Sequence, residues 1–256
     1  MLSTSHSRTS LPVIFQDESL IVINKPAGLL VHKSPIDRHE HQYAMKMVRD
    51  QIGQWVYPVH RLDKPTSGVL VFALQPEIAR ELGLQFMSQS VKKRYLAVVR
   101  GFTALGGIID HPIKETAMFK SDKKKYEEKT AKDAVSLYHQ LARLEVNEPI
   151  DRYPCARYSL LAVHPLSGRQ HQIRRHLKHL SHPLIGDAKY GKSIHNRFIA
   201  DYFGVSRLLL HCHQMRFRHP TKREILFLEA PIDDDFRRIL QVGSWETGTH
   251  LNSILT

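Results

Sequence analysis

An acidic residue set among basic residues at the start of an apolar run is the feature that most constrains the fold of this chain. The segment HRLDKPTSG at 60–68 contains Asp63 and leads directly into VLVFAL at 69–74. An apolar run bounded by turn-forming residues predicts a buried strand, so charge lies at the entrance of a core strand. A carboxylate there can be kept ionised and partly desolvated, as a nucleophile or a general base requires. The proline and glycine after Asp63 also allow a simpler interpretation, in which the acid only caps a turn.

The rest of the chain alternates short apolar segments with helical patterns in an irregular order. Most predicted strands follow one another as hairpin pairs, which favours an α+β fold over a doubly wound parallel sheet. The turn at 25–28 is interpreted as a plain reversal with the Lys25 side chain in solvent. We predict strands at 19–24, 29–32, 69–74, 92–101, 134–146, 156–163, 207–217 and 224–229, and helices at 39–52, from 76, within 168–182 and at 233–240.

The charge balance favours a polyanionic partner. The 256 residues include 37 Lys and Arg against 25 Asp and Glu, which gives a formal net charge of +12 and a sequence pI near 9.7. Nucleic acid is the commonest partner of so basic a surface. Residues 120–133 carry many charges of both signs and are interpreted as a solvated loop rather than a dedicated RNA contact.

Cysteine usage and hydropathy bear on the compartment. Cys155 and Cys212 are the two cysteines of the chain, so no disulfide framework exists and a reducing cytoplasm is expected. The first ten residues lack the apolar segment of a secretory signal, and no apolar run approaches the length of a membrane span. We therefore predict a cytoplasmic protein without a membrane span, and we expect it to act as a monomer.

Three groups of cations accompany the candidate acid along the sequence, at 60–61, 92–94 and 169–178. The third group crowds the polar face of one predicted helix without any acid, which is typical of a phosphate-binding surface, although a solvated helix face is the simpler alternative. Arg174 borders the apolar stripe of that helix, from which a guanidinium can reach a partly buried carboxylate. Tyr95 can stack on a base or relay a proton through its hydroxyl, or it can be an ordinary core tyrosine.

Metal and nucleotide chemistry find little support in the sequence. His171, His211, His213 and Cys212 are potential ligands, but Cys212 points to the opposite face of a strand from its two neighbours. No Cys-x-x-Cys or His-Glu-x-x-His spacing occurs, and glycine-rich phosphate loops are absent. We predict no metal and no cofactor.

Several separated motifs together resemble one known family, the type A family of ribosomal large-subunit pseudouridine synthases. The resemblance extends from about residue 12 to 230. It rests on NKPAG at 24–28, HRLDKPTSG at 60–68, KRYLA at 93–97, GRQHQIR at 168–174, PLIGD at 183–187 and LH at 210–211. It implies a mixed, mainly antiparallel central sheet with flanking helices and loops, a central basic cleft, and neither metal nor organic cofactor.

The resemblance also implies a division of the chain and roles for its residues. Residues 1–11 would form a flexible N-terminus, 12–241 the catalytic domain without a preceding S4 RNA-binding domain, and 242–256 a C-terminal tail. Asp63 would be the catalytic aspartate, and Lys64 departs from the Arg usual beside it. Arg61 would fill the space that a flipped-out base leaves, Tyr95 would pack against the target uracil, and Arg174 would pair with Asp63. His60 and Arg169 are further substrate-binding candidates.

Within the family, the chain is most similar to the bacterial branch that modifies uridine 65 in the TΨC-arm stem of tRNA. The segments that suggest this are VRDQIG at 48–53, RRHLKHL at 174–180, HNR at 195–197 and FG at 203–204. An ionised carboxylate could attack the base at C6 or the sugar at C1′, or take a proton from C2′, and the sequence does not choose between these routes. The alternatives are a synthase acting on ribosomal RNA, a non-catalytic RNA-binding protein, and a metal-dependent nuclease built on the histidines.

Overall fold

In a computed structural model, the chain is described over residues 10–33, 39–115 and 130–247. Most of the charged segment predicted as a loop at 120–133 lies outside these residues, as does most of the predicted flexible N-terminus. The strands are β1 Val13–Gln16, β2 Leu20–Lys25, β3 Tyr57–Pro58, β4 Ser67–Ala73, β5 Lys92–Arg100, β6 Gly106–Asp110, β7 Val135–Val146, β8 Ala156–Pro165, β9 Leu210–Arg218, β10 Ile225–Glu229 and β11 Glu246–Thr247. The helices are α1 Ala44–Ile52, α2 Pro76–Met87, α3 Gln172–His179, α4 Ser193–Phe203 and α5 Asp234–Val242.

The strands form one mixed sheet in which antiparallel pairs predominate, as predicted. Its order is β1-β2-β4-β9-β5-β8-β7-β11, with β3 beside β4, β10 beside β9 and β6 beside β7. Among the described strands, only β4 and β9 pair in parallel, with Ser67 opposite His211 and Gly68 opposite Cys212. Gly68 has φ +111°, and a Cβ there would lie 2.2 Å from the Cys212 carbonyl oxygen, so the close approach requires glycine. This junction joins the two antiparallel halves of the sheet.

Helices cover both faces of the sheet, which gives the α+β fold two apolar cores. Strand β5 contributes to both because its side chains alternate between the faces. Tyr95, Ala97 and Val99 pack with residues of α1, α2 and α3. Leu96 and Val98 pack with residues of α4 and α5 on the other face. The segment at 60–66 enters β4 on the first of these faces, beside Tyr95.

The strand predicted at 29–32 is wrong. Only Leu30 forms a bridge, a parallel one with Tyr43. The carbonyl oxygens of Leu30 and Val31 accept hydrogen bonds from the amides of Ala44 and Met45 at 2.8 and 3.0 Å. The segment therefore satisfies the free amides at the start of α1 instead of joining the sheet. The same contacts place the start of this helix at residue 44 rather than at the predicted 39.

Both ends of the described chain pack against the rest of the fold. Helix α5 ends at Val242, Trp245 is buried in the second core, and β11 pairs with β7. At the other end, Leu11 is buried and its amide donates to the Gln51 side chain at 2.9 Å. The division of the chain into residues 1–11, 12–241 and 242–256 stays a prediction.

Candidate active site

A cleft of about 730 Å³ opens where the parallel β4–β9 junction meets β5 and the start of α3. All six residues predicted for the site line it, although they come from three separate segments of the sequence, the first and last of which are more than 100 positions apart. They are His60, Arg61, Asp63, Tyr95, Arg169 and Arg174. Apolar side chains complete the wall, and two of them, Met87 and Leu166, are 80% and 40% exposed at the rim.

Asp63 is held by an arginine that is itself fixed by a second acid. Arg174 donates from Nη1 to Asp63 Oδ2 at 3.0 Å, and from Nε and Nη2 to the two carboxylate oxygens of Asp187 at 2.7 and 2.9 Å. The side chains of Arg174 and Asp187 are buried, whereas that of Asp63 is 20% exposed to the cleft. The fork to Asp187 fixes the guanidinium plane, so the remaining donor orients a carboxylate that substrate can reach. The expected pairing of Arg174 with Asp63 is present.

Asp187 is the acid that the sequence reasoning missed as a site residue. Burial opposes its ionisation, but Arg174 and the amides of Tyr190 and Lys189, both 2.9 Å from Oδ1, keep the pKa of Asp187 below its ordinary value. The carboxylates of Asp187 and Asp63 in turn hold the pKa of Arg174 above its usual range despite burial. The only available signal was the position of Asp187 at the end of the PLIGD motif.

Tyr95 faces the cleft from β5 and is almost fully buried. Burial, with further contributions from Cys212 and Asp63, raises the pKa of the Tyr95 hydroxyl well above its ordinary value of 10.0. The phenol therefore stays protonated at physiological pH. Its ring lines the same cleft as Asp63, where a planar base can pack against it.

His60 lines the cleft, but one of its ring nitrogens is hydrogen-bonded to the backbone. Its Nε2 accepts a hydrogen bond from the amide of Val71 at 3.0 Å, and the ring stacks on Phe86 with centroids 4.9 Å apart. Burial and the charge of Lys93 lower the pKa of His60 to about 3, so the ring remains neutral. This geometry anchors the Asp63 segment to β4, and direct substrate binding by His60 stays a prediction.

Arg61 and Lys64 flank Asp63 on the solvent side. Arg61 is exposed and lines the cleft. Lys64 donates to Glu40 at 2.9 Å. The amide of Thr66 donates to the carbonyl of Asp63 at 3.0 Å, so the turn interpretation of this segment is also correct. Asp63 therefore begins a turn through its carbonyl oxygen, while its side chain lines the cleft.

Arg169 lies in the loop that precedes α3. Its Nε donates to the carbonyl of Asp133 at 3.1 Å, and its amide donates to Gln172 Oε1 at 3.0 Å. Gln172 is buried and also contacts Val135 and Ser136, which ties the loop to β7. Arg169 thus has a fixed backbone and a partly exposed guanidinium at the cleft.

Lys25 contradicts the prediction of a solvated side chain. It is 0% exposed, and its Nζ donates to the carbonyls of Leu29, Pro26 and Lys64 at 2.7, 2.8 and 3.2 Å. Burial and the charge of Arg207 lower the pKa of Lys25 to about 7. The three carbonyl groups come from the two loops at 25–29 and 60–66, so Lys25 fastens the loop that carries Asp63. The pattern of a turn lysine gives no indication of such burial.

Replacing Lys25 with Met should lower the free energy of unfolding by about 2–4 kcal/mol, because three partly buried carbonyl groups lose their donor. Urea unfolding followed by circular dichroism measures the loss. Lys33→Met is the matched control, since Lys33 is exposed. Equal stability of the two variants would contradict the role given to Lys25.

His211 and His213 behave as structural groups. Both rings contact the carbonyl oxygen of Ala230 at 3.1 Å, and His211 also contacts Ser67 Oγ at 2.8 Å. Cys212 lies in the first core, on the opposite face, as the strand alternation predicted. Over residues 10–33, 39–115 and 130–247, no group of three or more His, Cys, Asp or Glu side chains is arranged to hold a metal ion. In the same ranges, no helix has the length and apolar character needed to cross a membrane.

Comparison with known proteins gives matches along most of the chain. A family model described as RNA pseudouridylate synthase matches residues 19–179. The chain is 45% identical to tRNA pseudouridine synthase C of Pasteurella multocida (strain Pm70), over 96% of this chain and 99% of that protein. It is 46% identical to tRNA pseudouridine synthase C of Yersinia pestis, over 92% of this chain and 91% of that protein.

Solved structures match the fold. The human protein RNA Pseudouridylate Synthase Domain Containing 1 superposes with a TM-score of 0.72 over 97% of this chain and 94% of its own, at 24% identity. Human RNA Pseudouridylate Synthase Domain Containing 4 gives a TM-score of 0.69 over 92% and 94% of the two chains. At this level of identity the likeness establishes the fold.

Proposed function

Since the chain belongs to the RNA pseudouridylate synthase family, we propose that it converts uridine 65 in the TΨC-arm stem of tRNA to pseudouridine, with Asp63 as the catalytic aspartate. The chain is an isomerase of the pseudouridine synthase class, and tRNA is its substrate, in line with relatives at 41–46% identity named tRNA pseudouridine synthase C. The observation that carries the assignment of Asp63 is its hydrogen bond to Arg174, which is anchored in turn on Asp187.

The chemistry asks for an ionised carboxylate beside a sugar and a planar base. The reaction breaks the N1–C1′ bond of uridine, turns the uracil and joins C5 to C1′. Arg174 donates to Oδ2 of Asp63, and Oδ1 lies 3.9 Å from Nε2 of His171, another residue that lines the cleft. An oxygen so placed can attack C6 or C1′, or can take the C2′ proton. Each of these routes requires that Asp63 be ionised. Tyr95 limits the space beside the carboxylate and supplies a flat surface for the ring.

Access to a base within a stem requires that the nucleotide leave the helix. Flipping costs a few kcal/mol, which phosphate contacts and stacking must offset. Arg61 is exposed at the cleft entrance, where it can occupy the space left in the stem. The exposed apolar side chains of Met87 and Leu166 at the rim can contact neighbouring bases. The choice of position 65 rests on the segments at 48–53, 174–180, 195–197 and 203–204.

Pseudouridine mapping across total RNA tests the assignment. A strain that lacks this gene should lose the modification at position 65 of tRNA and regain it when the gene is restored. Purified protein should modify a tRNA transcript with uridine 65 and leave one with cytidine at that position unmodified. If the strain instead lost a modification in ribosomal RNA, the substrate would be ribosomal RNA rather than tRNA. If it lost no modification, a non-catalytic RNA-binding protein would be favoured. Action as a monomer in the cytoplasm stays a prediction.

A further inference from the structure

His171 lies beside the candidate nucleophile and has no part in the chemistry described so far. Its Nε2 is 3.9 Å from Asp63 Oδ1, and its Nδ1 is 2.9 Å from the hydroxyl oxygen of Tyr190. The side chain is 18% exposed and lines the cleft. The imidazole therefore approaches the carboxylate oxygen that Arg174 leaves free, while its far nitrogen is tied down.

The backbone of His171 is held in an unfavourable conformation. The residue has φ +53° and ψ 31°, in the left-handed region that non-glycine residues seldom adopt. It occupies the capping position before α3 but forms no side-chain capping hydrogen bond. Such strain persists where surrounding contacts impose it, and it concentrates at functional sites. Here it directs the ring into the cleft instead of toward the helix end.

Pseudouridine formation requires a base that acts late. When C5 has joined C1′, C5 still carries its hydrogen, and this proton must leave for the ring to regain its C5–C6 double bond. Apart from Asp63 and the cations, four titratable side chains in the described part of the cleft are candidates for this base. Tyr95 is a protonated phenol, His60 already accepts the Val71 amide, and Glu115 pairs with Lys132 at 3.3 Å. His171 is the remaining group.

We propose that His171 is a catalytic residue, the general base that takes the C5 proton. The inference rests on the proposed function, because C1′ then lies beside Asp63 and C5 is bonded to it. The C5–H bond breaks and its proton passes to Nε2. The C5–H electron pair forms the C5–C6 double bond, and the pair of the C6–N1 double bond, which formed when C5 joined C1′, returns to N1. Nδ1 gives up its proton through the Tyr190 hydroxyl to solvent, and solvent protonates N1 of the product, so protons balance.

The charges around His171 suit a base. Burial lowers the pKa of His171 below its ordinary 6.5, Asp63 and Asp187 oppose this shift, and Arg174 and Lys189 reinforce it. The Tyr190 hydroxyl contacts Nδ1 of His171. The cationic groups of Arg174, Lys178 and Lys189 lie 5.2–5.8 Å from the centre of the Tyr190 ring. The imidazole is therefore neutral at physiological pH and can accept a proton.

A substrate that has no C5 proton separates this role from a structural one. His171→Gln should slow single-turnover conversion of uridine-containing tRNA about 10²-fold or more. The same variant should rearrange tRNA carrying 5-fluorouridine at the wild-type rate, because fluorine replaces the hydrogen and the reaction ends at the fluorinated, rearranged base. Deuterium at C5 of uridine should slow the variant more than the wild type. His139→Gln, on the exposed side of β7, is the matched control and should behave as wild type on both substrates.

Two results would overturn the proposal. One is a wild-type rate on uridine in His171→Gln, which would leave Asp63 as the base for C5. The other is an equal loss on uridine and 5-fluorouridine, which would mean that His171 positions the site. If the wild-type protein formed no pseudouridine in tRNA, the proposed function itself would fail. This measurement needs only the wild-type protein, so it is distinct from a failure of the His171 proposal.

Discussion

Asp63→Asn should reduce pseudouridine formation by at least about 10⁴-fold while leaving tRNA affinity and stability near wild type. The amide keeps the size of the side chain and can still accept from Arg174, but it carries no negative charge and is neither a nucleophile nor a base. Arg174 retains its fork to Asp187, so the fold keeps a paired guanidinium. The loss should therefore appear almost entirely in kcat.

Release of tritium from C5-labelled uridine in tRNA measures the rate, and filter binding measures the affinity. Asp201→Asn, on the exposed surface of α4, is the matched control and should turn over normally. Undiminished turnover by Asp63→Asn would remove the catalytic assignment, and it would return the acid to the turn-capping role that its sequence context also allows.

The residues that sequence reasoning identified share a property. Asp63, Tyr95 and Arg174 each lie in a motif where a reactive side chain adjoins an apolar segment, so the pattern itself places them at the edge of a core. That Arg174 meets Asp63 across 111 positions followed from family resemblance and not from spacing. Local sequence cannot determine which of several arginines reaches a given acid.

The residues that it missed owe their roles to tertiary contacts. Asp187 and Lys25 are ordinary loop residues by sequence, and only burial against partners from distant segments gives them a function. The sequence offered His171 as a potential metal ligand and as one residue of a basic helix, whereas its neighbours are the Tyr190 hydroxyl and the Asp63 carboxylate. In each case the missing information was the identity of the buried partner.

Strand and helix predictions succeeded where burial decides the structure. The apolar runs of β4, β5, β7 and β8 can be satisfied only inside a sheet, and the structure places them there. The strand predicted at 29–32 was wrong because carbonyl groups of this segment accept hydrogen bonds from Lys25 and from the start of α1. No local sequence pattern encodes these contacts. Helix α4 carries charged and aromatic residues around a narrow apolar stripe, and it was not predicted.

Asp187→Asn should impair both stability and catalysis, because it leaves a buried guanidinium without its principal partner. Removing one member of a buried ion pair costs about 3–5 kcal/mol. The freed guanidinium would also shift toward Asp63, and a displacement of about 1 Å at a reacting group can cost 10²-fold in rate. We expect kcat to fall by about that factor with little change in KM, since Asp187 has no exposed surface for substrate.

The pH dependence separates this buried pair from a surface one. The pKa of Asp187 is depressed in the folded state, so its contribution is complete above the unfolded value of 3.8 and disappears as the pH falls through the lower, folded value. The difference in unfolding free energy between wild type and Asp187→Asn should therefore be constant near neutrality and shrink below pH 3.8. Asp151→Asn, which breaks the exposed pair with Lys192, should change the unfolding free energy far less than Asp187→Asn and leave kcat unchanged. Equal effects of the two substitutions would mean that Arg174 is oriented by packing alone, and Asp187 would then lose its positioning role.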